Sequence, residues 1–322
     1  MPSWMVPNDA VLCYQNKFRP NWRFNMKIGI DLGGSHIAVG SIDDGGNIIS
    51  KEEIQILKED IKNSKAIIEN YILTAIRKIT EFHKVESIGI AIPGTISKTT
   101  IVKSVNLGLE NYNIVEVLNK EFSIPIKIKN DAKCAAIAEN TYGSIKQYHN
   151  ALFLTLGTGI GGAVIYGNKL LSPDNVPGFE FGHIIITKNG RLCKCGKRGC
   201  FEQYGSMQVF KEKVIDDLNL DPKIEGRELL EIVQKKKNNP IIENIVDEYT
   251  SDLALGISNL INIFEPEAIA IGGSFVYFEK LFLQKTKGKI LEGKLLFNKR
   301  DDIIINPATL GNDAGMIGTT LI

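Results

Sequence analysis

From Met26 onward, apolar residues recur at strand spacing. Ile28, Ile30 and Leu32 alternate with Gly29 and Asp31, and Gly33-Gly34-Ser35 breaks the run. His36–Ile42 reads as a second strand that turns through Asp43-Asp44-Gly45-Gly46-Asn47 into Ile48-Ile49, a hairpin signal. Over 59–83 the period lengthens to that of a helix, with Ile61, Ile68, Tyr71, Ile72, Ala75, Ile76, Ile79 and Phe82 on one stripe. A strand over 87–92 ends at Pro93-Gly94, and another over 126–129 runs through Asn130-Asp131 into a helix over 132–142 that Gly143 stops.

The opening pattern then recurs. Residues 152–156 read as a strand, 157–162 as a glycine turn (Gly157-Thr158-Gly159-Ile160-Gly161-Gly162) and 163–166 as a returning strand. Strand, glycine turn, strand thus appears at 28–42 and again at 152–166, which predicts two related α/β domains facing each other. The expected division is 26–133 plus 308–322 for the first and 134–307 for the second. The second is largely helical, with a long stripe over Pro240–Phe264 and a strand over 268–271 that ends in Gly272-Gly273-Ser274. A closing helix is expected within 311–322. Residues 1–25 lack either period and read as an irregular extension, too short for a DNA-reading helix-turn-helix module.

Composition narrows the class. The 322 residues are 43% hydrophobic and 23% charged, an ordinary globular mix, so disorder and fibrous repeats are excluded. Thirty-eight Lys+Arg against 37 Asp+Glu leave +1, so no global field favours nucleic acid or an anionic membrane. No apolar run approaches the roughly 20 residues that span a bilayer, and the N-terminus lacks a signal-peptide pattern. A cytoplasmic protein is expected. Its five cysteines are odd in number, and three fall within eight positions, which suits metal binding better than disulfides.

Three predicted strands end in glycine turns: Asp31-Leu32-Gly33-Gly34-Ser35, 157–162 and Gly272-Gly273-Ser274. Without a Cβ the backbone can approach a phosphate and aim several N–H donors at it. Asp31, just before the first turn, could hold a hydrated Mg²⁺ bridging phosphates. The spacing fits neither GxxxxGK[ST] nor a Rossmann turn, because the glycines at 157–161 precede a strand. A nucleotide held between two domains is the better reading.

The sharpest feature is Glu180-Phe181-Gly182-His183 followed by Cys193-Lys194-Cys195-Gly196-Lys197-Arg198-Gly199-Cys200-Phe201-Glu202. One His and three Cys complete a tetrahedral set for Zn²⁺ with no open position, so the metal is expected to be structural. Glu180 and Glu202 flank the set and would suit the hydroxyls of a polyol ligand, although both also suit a solvated surface. Asp131 stands at a strand-to-helix junction. It could be a helix N-cap, or a general base taking a proton from a hydroxyl that attacks the γ-phosphoryl group.

Taken together these motifs resemble the ROK family of bacterial sugar kinases, within the actin-like ATPase and hexokinase superfamily (ribonuclease H-like domains). The resemblance rests on Glu180-x-Gly182-His183, Cys193-x-Cys195-Gly196-x-x-Gly199-Cys200-x-Glu202, Asp31-x-Gly33-Gly34, Pro93-Gly94, Asn106-Leu107-Gly108, Asn130-Asp131-Ala132, 157–162 and Gly272-Gly273. It implies ATP and a sugar in a cleft between two α/β domains, with Asp131 as base. Gly94, Asn106, Asn130, Asp131, Glu180, His183 and Glu202 would bind the sugar. Asp31, Gly33, Gly34, Ser35, Gly157, Thr158, Gly159, Gly161, Gly272 and Gly273 would hold nucleotide and Mg²⁺. His183, Cys193, Cys195 and Cys200 would hold zinc. The family usually has Thr then Lys or Asn after the first Gly-Gly; here Ser35-His36 stands there. A homodimer is implied as well. The expected acceptor is the 6-hydroxyl of a hexose, glucose first, with N-acetylmannosamine, N-acetylglucosamine and fructose as alternatives. A non-catalytic sugar-sensing regulator and an actin-like ATPase without a sugar are the rivals from other classes.

Overall fold

The computed structural model describes residues 25–33, 36–56, 64–171, 178–293 and 303–322. Residues 1–24 of the expected extension, Gly34, Ser35 and the first residues of the predicted 59–83 helix lie outside them; Asn25, expected at the end of the extension, instead opens the first strand. The first sheet is built from β1 (Asn25–Leu32), β2 (His36–Ile42), β3 (Ile48–Gln55), β4 (Lys84–Ile92) and β8 (Ile126–Asn130), in the order β3-β2-β1-β4-β8. β1–β3 form an antiparallel meander, and β4 and β8 add in parallel. Between them a small antiparallel sheet holds β5 (Thr95–Ser97), β6 (Thr100–Ser104) and β7 (Leu109–Tyr112), followed by α2 (Ile114–Asn119). The hydrophobic pattern did not announce this insert, because its strands are three to five residues long.

The second sheet repeats the plan. β9 (Ala151–Leu156), β10 (Ile160–Tyr166), β11 (Lys169–Leu171), β12 (Ala268–Gly272) and β13 (Ile305–Pro307) stand in the order β11-β10-β9-β12-β13. Again three strands meander and two add in parallel. The recurrence read at 28–42 and 152–166 is therefore a duplication of the whole sheet topology.

Each sheet buries an outer face under its own helices. On the first, α1 (Ser64–Phe82) sets Ile68, Ile72, Ala75, Ile76 and Ile79 against Ile28, Ile30, Ile88 and Ile90. Each such isoleucine contributes roughly 1.5–3 kcal/mol relative to exposure. Phe82, read as part of this stripe, is 73% exposed at the last residue of the helix. On the second, α5 (Met207–Leu218), α7 (Pro240–Phe264) and α8 (Glu279–Glu292) cover the strands through an aromatic cluster, with Phe210 edge-on to Phe282 at 4.8 Å.

The inner faces meet through two helices, α3 (Asp131–Thr141) and α9 (Ala314–Thr319). Register places Gly40, Gly29 and Gly89 side by side across β2, β1 and β4. That row of missing side chains is where α9 lies. A Cβ on Gly29 would strike the Met316 carbonyl, and one on Gly89 the Thr319 carbonyl. From its other side Gly318 approaches α3 so closely that a Cβ would overlap the Cys134 carbonyl. α3 in turn packs on β9 and β10, where Gly161 leaves room for Ala132. The cost of so many strand glycines is offset by this close backbone packing.

Gly318→Ala should therefore cost about 1–3 kcal/mol by overpacking. Gly288→Ala, in α8 and facing open space, should add about 0.5–1 kcal/mol through the helix preference for alanine. Thermal unfolding of the two variants beside the parent checks both signs.

Candidate active site

The parallel strands of both sheets end at the same cleft. There β1 delivers Asp31 and Gly33, β12 delivers Gly272 and Gly273, and the start of α3 delivers Asp131. A cavity of about 360 Å³ is lined by these residues together with His36 and Asn312. Next to it, a cavity of about 410 Å³ is walled by Gly157, Thr158, Met207, Leu229 and Phe278; Tyr277 borders both. The first is glycine-rich with two carboxylates, and the second is flanked by apolar helix residues. That division suits a phosphate chain and a flat aromatic base.

Sequence reading did not find Tyr277 or the α5 and α6 (Gly226–Lys235) walls, since nothing local marks them. Gly311-Asn312 could have been found. Gly311 has a φ of 59°, and it opens a turn leading into α9, a fourth glycine turn beside the three recognised. His36, where the family usually differs, packs its imidazole over Gly33 in the cleft wall.

Burial pushes the Asp31 carboxyl up to about 7, and the neighbouring Asp131 adds to the rise. Lys51 opposes it from β3 while pairing with Asp313 at 2.7 Å and Glu53 at 2.9 Å. Asp131 is also raised, first by burial and then by the charge of Glu180, against the Ala132 N–H that it accepts at 2.8 Å. Two acids raised by burial beside glycine backbone are what a bound cation would relieve.

The capping role weighed for Asp131 belongs to its neighbour. Asn130 is the N-cap of α3: its Oδ1 accepts the Lys133 N–H at 3.3 Å, and its Nδ2 donates to the Gly94 carbonyl at 3.4 Å. Asp131, one position into the helix, accepts only the adjacent Ala132 N–H at its Oδ1 and lines the cleft. Gly94 itself sits at φ 109°, and a Cβ there would strike the Lys103 carbonyl, so Asn130 and Gly94 form one wall beside Asp131. Asn106 stands exposed in the turn between β6 and β7.

Glu180 is exposed, yet close enough to raise Asp131. It follows Phe179, whose φ of 61° is uncommon for a bulky residue and whose ring rests 6.2 Å from that of Phe264. A single 3₁₀ turn (Phe181–His183) then places His183. His183 Nδ1 lies 3.7 Å from Cys193 Sγ, and Cys195 Sγ lies 3.6 Å from Cys200 Sγ. All four ligand atoms fall within 4.8 Å of one another. Ligands about 2.3 Å from a tetrahedral ion stand about 3.8 Å apart, so the cluster has the span of a metal site. Burial, and then the adjoining thiols, push the Cys200 thiol up to about 12, a crowding of potential negative charge that a cation would offset.

The segment that carries the three cysteines folds through Gly196 (φ 89°) and Gly199 (φ 83°), with bridges between Ile185 and Cys200 and between Leu192 and Arg198. Glu202 opens α4 (Glu202–Gly205), and its Oε2 accepts the Ile160 N–H at 3.1 Å. A Cβ on Gly159 would collide with that oxygen. The glycine turn of β9–β10 is thereby tied to the thiol cluster. The structure brings Asp31, Asp131, Gly33, Gly272 and Gly273 to one cleft, and it joins His183, the three cysteines and Glu202 in one adjoining segment.

This fold and site belong to a known class. The ROK family model matches residues 27–322, and the chain belongs to that family. A glucokinase of Halalkalibacterium halodurans is 32% identical over 309 residues, covering 90% of this chain and 92% of that one. The structure of a ROK family glucokinase from Streptomyces griseus, in complex with glucose and AMPPNP, superposes with a TM-score of 0.76 at 27% identity over 92% of this chain and 98% of that one. A xylose repressor of Caldicellulosiruptor bescii is 29% identical over 279 residues, 81% of this chain and 68% of that one. The architecture is accordingly the actin-like ATPase fold.

Asp31 gives a stability test. Its carboxyl is raised from 3.8 to about 7 in the folded protein, so the native state is favoured by protonation and loses stability as pH rises through that window. Asp31→Asn removes the penalty. In EDTA its unfolding free energy, from denaturant titration, should exceed that of the parent at pH 8 by ~1–3 kcal/mol and converge with it near pH 4.

Proposed function

We propose that this protein is an ATP-dependent sugar kinase that transfers the γ-phosphoryl group to the 6-hydroxyl of a hexose, with glucose as the first candidate. The observation that carries it is Asp131: an acid raised by burial, next to the Asn130 that caps α3, standing between a glycine-lined cleft and the Glu180–His183 segment. Family membership and glucokinase relatives support the reading. N-acetylmannosamine, N-acetylglucosamine and fructose are the alternative acceptors.

ATP would lay its base between Tyr277 and the α5–α6 walls and its phosphates along Gly33, Gly272 and Gly273. Asp31 would hold Mg²⁺, which when bound neutralises phosphate charge. Asn130, Glu180, His183 and Glu202 would accept and donate hydrogen bonds to sugar hydroxyls, with Gly94 and Asn106 at the rim. Asp131 accepts the proton of the attacking hydroxyl as its oxygen forms the new bond to γ-phosphorus; the bond to the β-phosphate oxygen breaks and ADP leaves. A carboxylate whose pKa lies above the ordinary value is a stronger base near neutral pH. His183, the three cysteines and a zinc ion would form a closed structural site.

Asp131→Asn should lower kcat by roughly 10²–10⁴-fold and leave sugar affinity within several-fold. The parent's kcat/KM should fall on the acid side at a pH above the usual carboxylate value of about 4. ADP release across a panel of hexoses and N-acetylhexosamines reads both. Sugar-dependent thermal stabilisation without ADP release would favour the regulator, a reading prompted by the xylose repressor relative.

Metal analysis should find about one zinc per chain, and Cys200→Ser should lower the unfolding midpoint and raise KM for the sugar, since buried thiols would lose their ion. Metal-free protein with an unchanged midpoint would refute the zinc assignment.

A further inference from the structure

The chain passes from the first sheet to the second once, through α3 and residues 142–150, and returns through 308–313 into α9. One side chain grips both passages. Glu139, near the end of α3, is 0% exposed. Its Oε2 accepts the Ser144 N–H at 2.7 Å and the Ser144 hydroxyl at 2.9 Å. Its Oε1 accepts the Thr309 and Leu310 N–H groups, both at 2.8 Å, and the Thr309 hydroxyl reaches Oε2 at 3.3 Å. Asn306 closes the group by donating to the Ser144 carbonyl at 3.3 Å.

Burying a carboxylate is costly, and here no cation among the described residues pairs with it. Three backbone N–H groups and two hydroxyls satisfy it instead, each a charge-assisted bond. Such a cage holds its donors in one relative geometry. Those donors sit in the two strands of chain that join the halves, and the carboxylate rides on the helix whose other end carries Asp131. The downstream strand leads directly to Gly311 and Asn312 in the cleft wall and to Asp313, the partner of Lys51.

We infer that Glu139 is the pivot about which the two halves close, a positioning residue that couples lobe closure to the alignment of Asp131 with the phosphate-side loop. The inference rests on the kinase reading. A kinase that closes incompletely admits water as a competing acceptor, so the pivot governs coupling as well as rate. Hydrogen bonds at the pivot persist through closure, while the cleft residues on either side swing toward one another.

The test compares the parent with Glu139→Gln, which turns one acceptor into a donor facing N–H groups, and with Ser144→Ala, which removes one bond only. Sugar phosphate and ADP are measured separately at a temperature where circular dichroism shows each variant folded. X-ray scattering follows contraction on adding glucose and a non-hydrolysable ATP analogue. Expected for Glu139→Gln is a kcat for sugar phosphate lower by roughly 10–100-fold, a sugar affinity nearly unchanged, an ADP to sugar phosphate ratio above one and a smaller contraction. Ser144→Ala should shift the same quantities in the same direction by less, and it carries the test alone should Glu139→Gln fail to fold. A merely structural glutamate would lower the melting temperature and leave rate, ratio and contraction at parental values; that result overturns the pivot. A parent without sugar-dependent ADP release would instead refute the kinase reading, and contraction on ligand binding would still report on the pivot.

Discussion

Everything in this structure hangs on backbone approaching backbone between α3 and α9. The two helices are the filling between two five-stranded sheets, and glycines on every side let them sit closer than side chains would permit. Gly318 lies on the Cys134 carbonyl, and Gly315 lies against the Asp31 carboxylate. The same contact that packs the core therefore also sets the distance between the acids of the cleft. Bulk at these glycines would spread the sheets and the site together, which is why packing and chemistry cannot be varied independently here.

The electrostatics show the other side of that coupling. Asp31 and Asp131 sit in a site where burial already disfavours charge, and the charge of Asp131 adds to the rise at Asp31. Left alone, the pair is a destabilising element, offset at Asp131 only in part by the Ala132 N–H. Lys51 does not cancel it, because its ammonium is already shared by Asp313 and Glu53. A fold that keeps two uncompensated acids at the carboxyl ends of its central strands holds in reserve a site for positive charge. The strain is stored where a ligand can release it.

Much of this was legible in the residue order. The glycine turns, Asp131 and the set of one histidine and three cysteines are local signals, each requiring few residues at fixed spacing, and the doubled strand-turn-strand pattern showed the duplicated sheet. What was hidden depends on distance in sequence. Tyr277 gains meaning only because β12 returns beside β9, and Glu139 only because residues 309 and 310 come back to α3. The sequence left Asp131 open between a cap and a base; the backbone angles at Asn130 (φ −60°, ψ 141°) and its side-chain bond give the cap to that neighbour. Phe82 was placed on the stripe because periodicity carries no information about what lies against the last turn of a helix. The small β5–β7 sheet escaped for want of length.

The thiol cluster belongs to the same mechanical scheme. It sits in a segment with little regular structure, where short bridges and two left-handed glycines would otherwise leave the chain free to rearrange. Cross-linking His183 to three cysteines through one ion would convert that segment into a rigid arm. Glu202 then transmits the rigidity to the glycine turn at Gly159-Ile160. The cleft would thus be held by two anchors of different chemistry: Glu139 with neutral donors at the crossing of the halves, and the cysteine and histidine segment tied through Glu202 to the glycine turn. Each would fix a loop that must not drift, and between them remains a gap whose width the halves can change. A rigid margin beside a variable gap is the arrangement that lets closure be a rotation of intact bodies, with Asp31 and Asp131, both at strand ends of the first sheet, keeping their spacing while the distance across the cleft shortens.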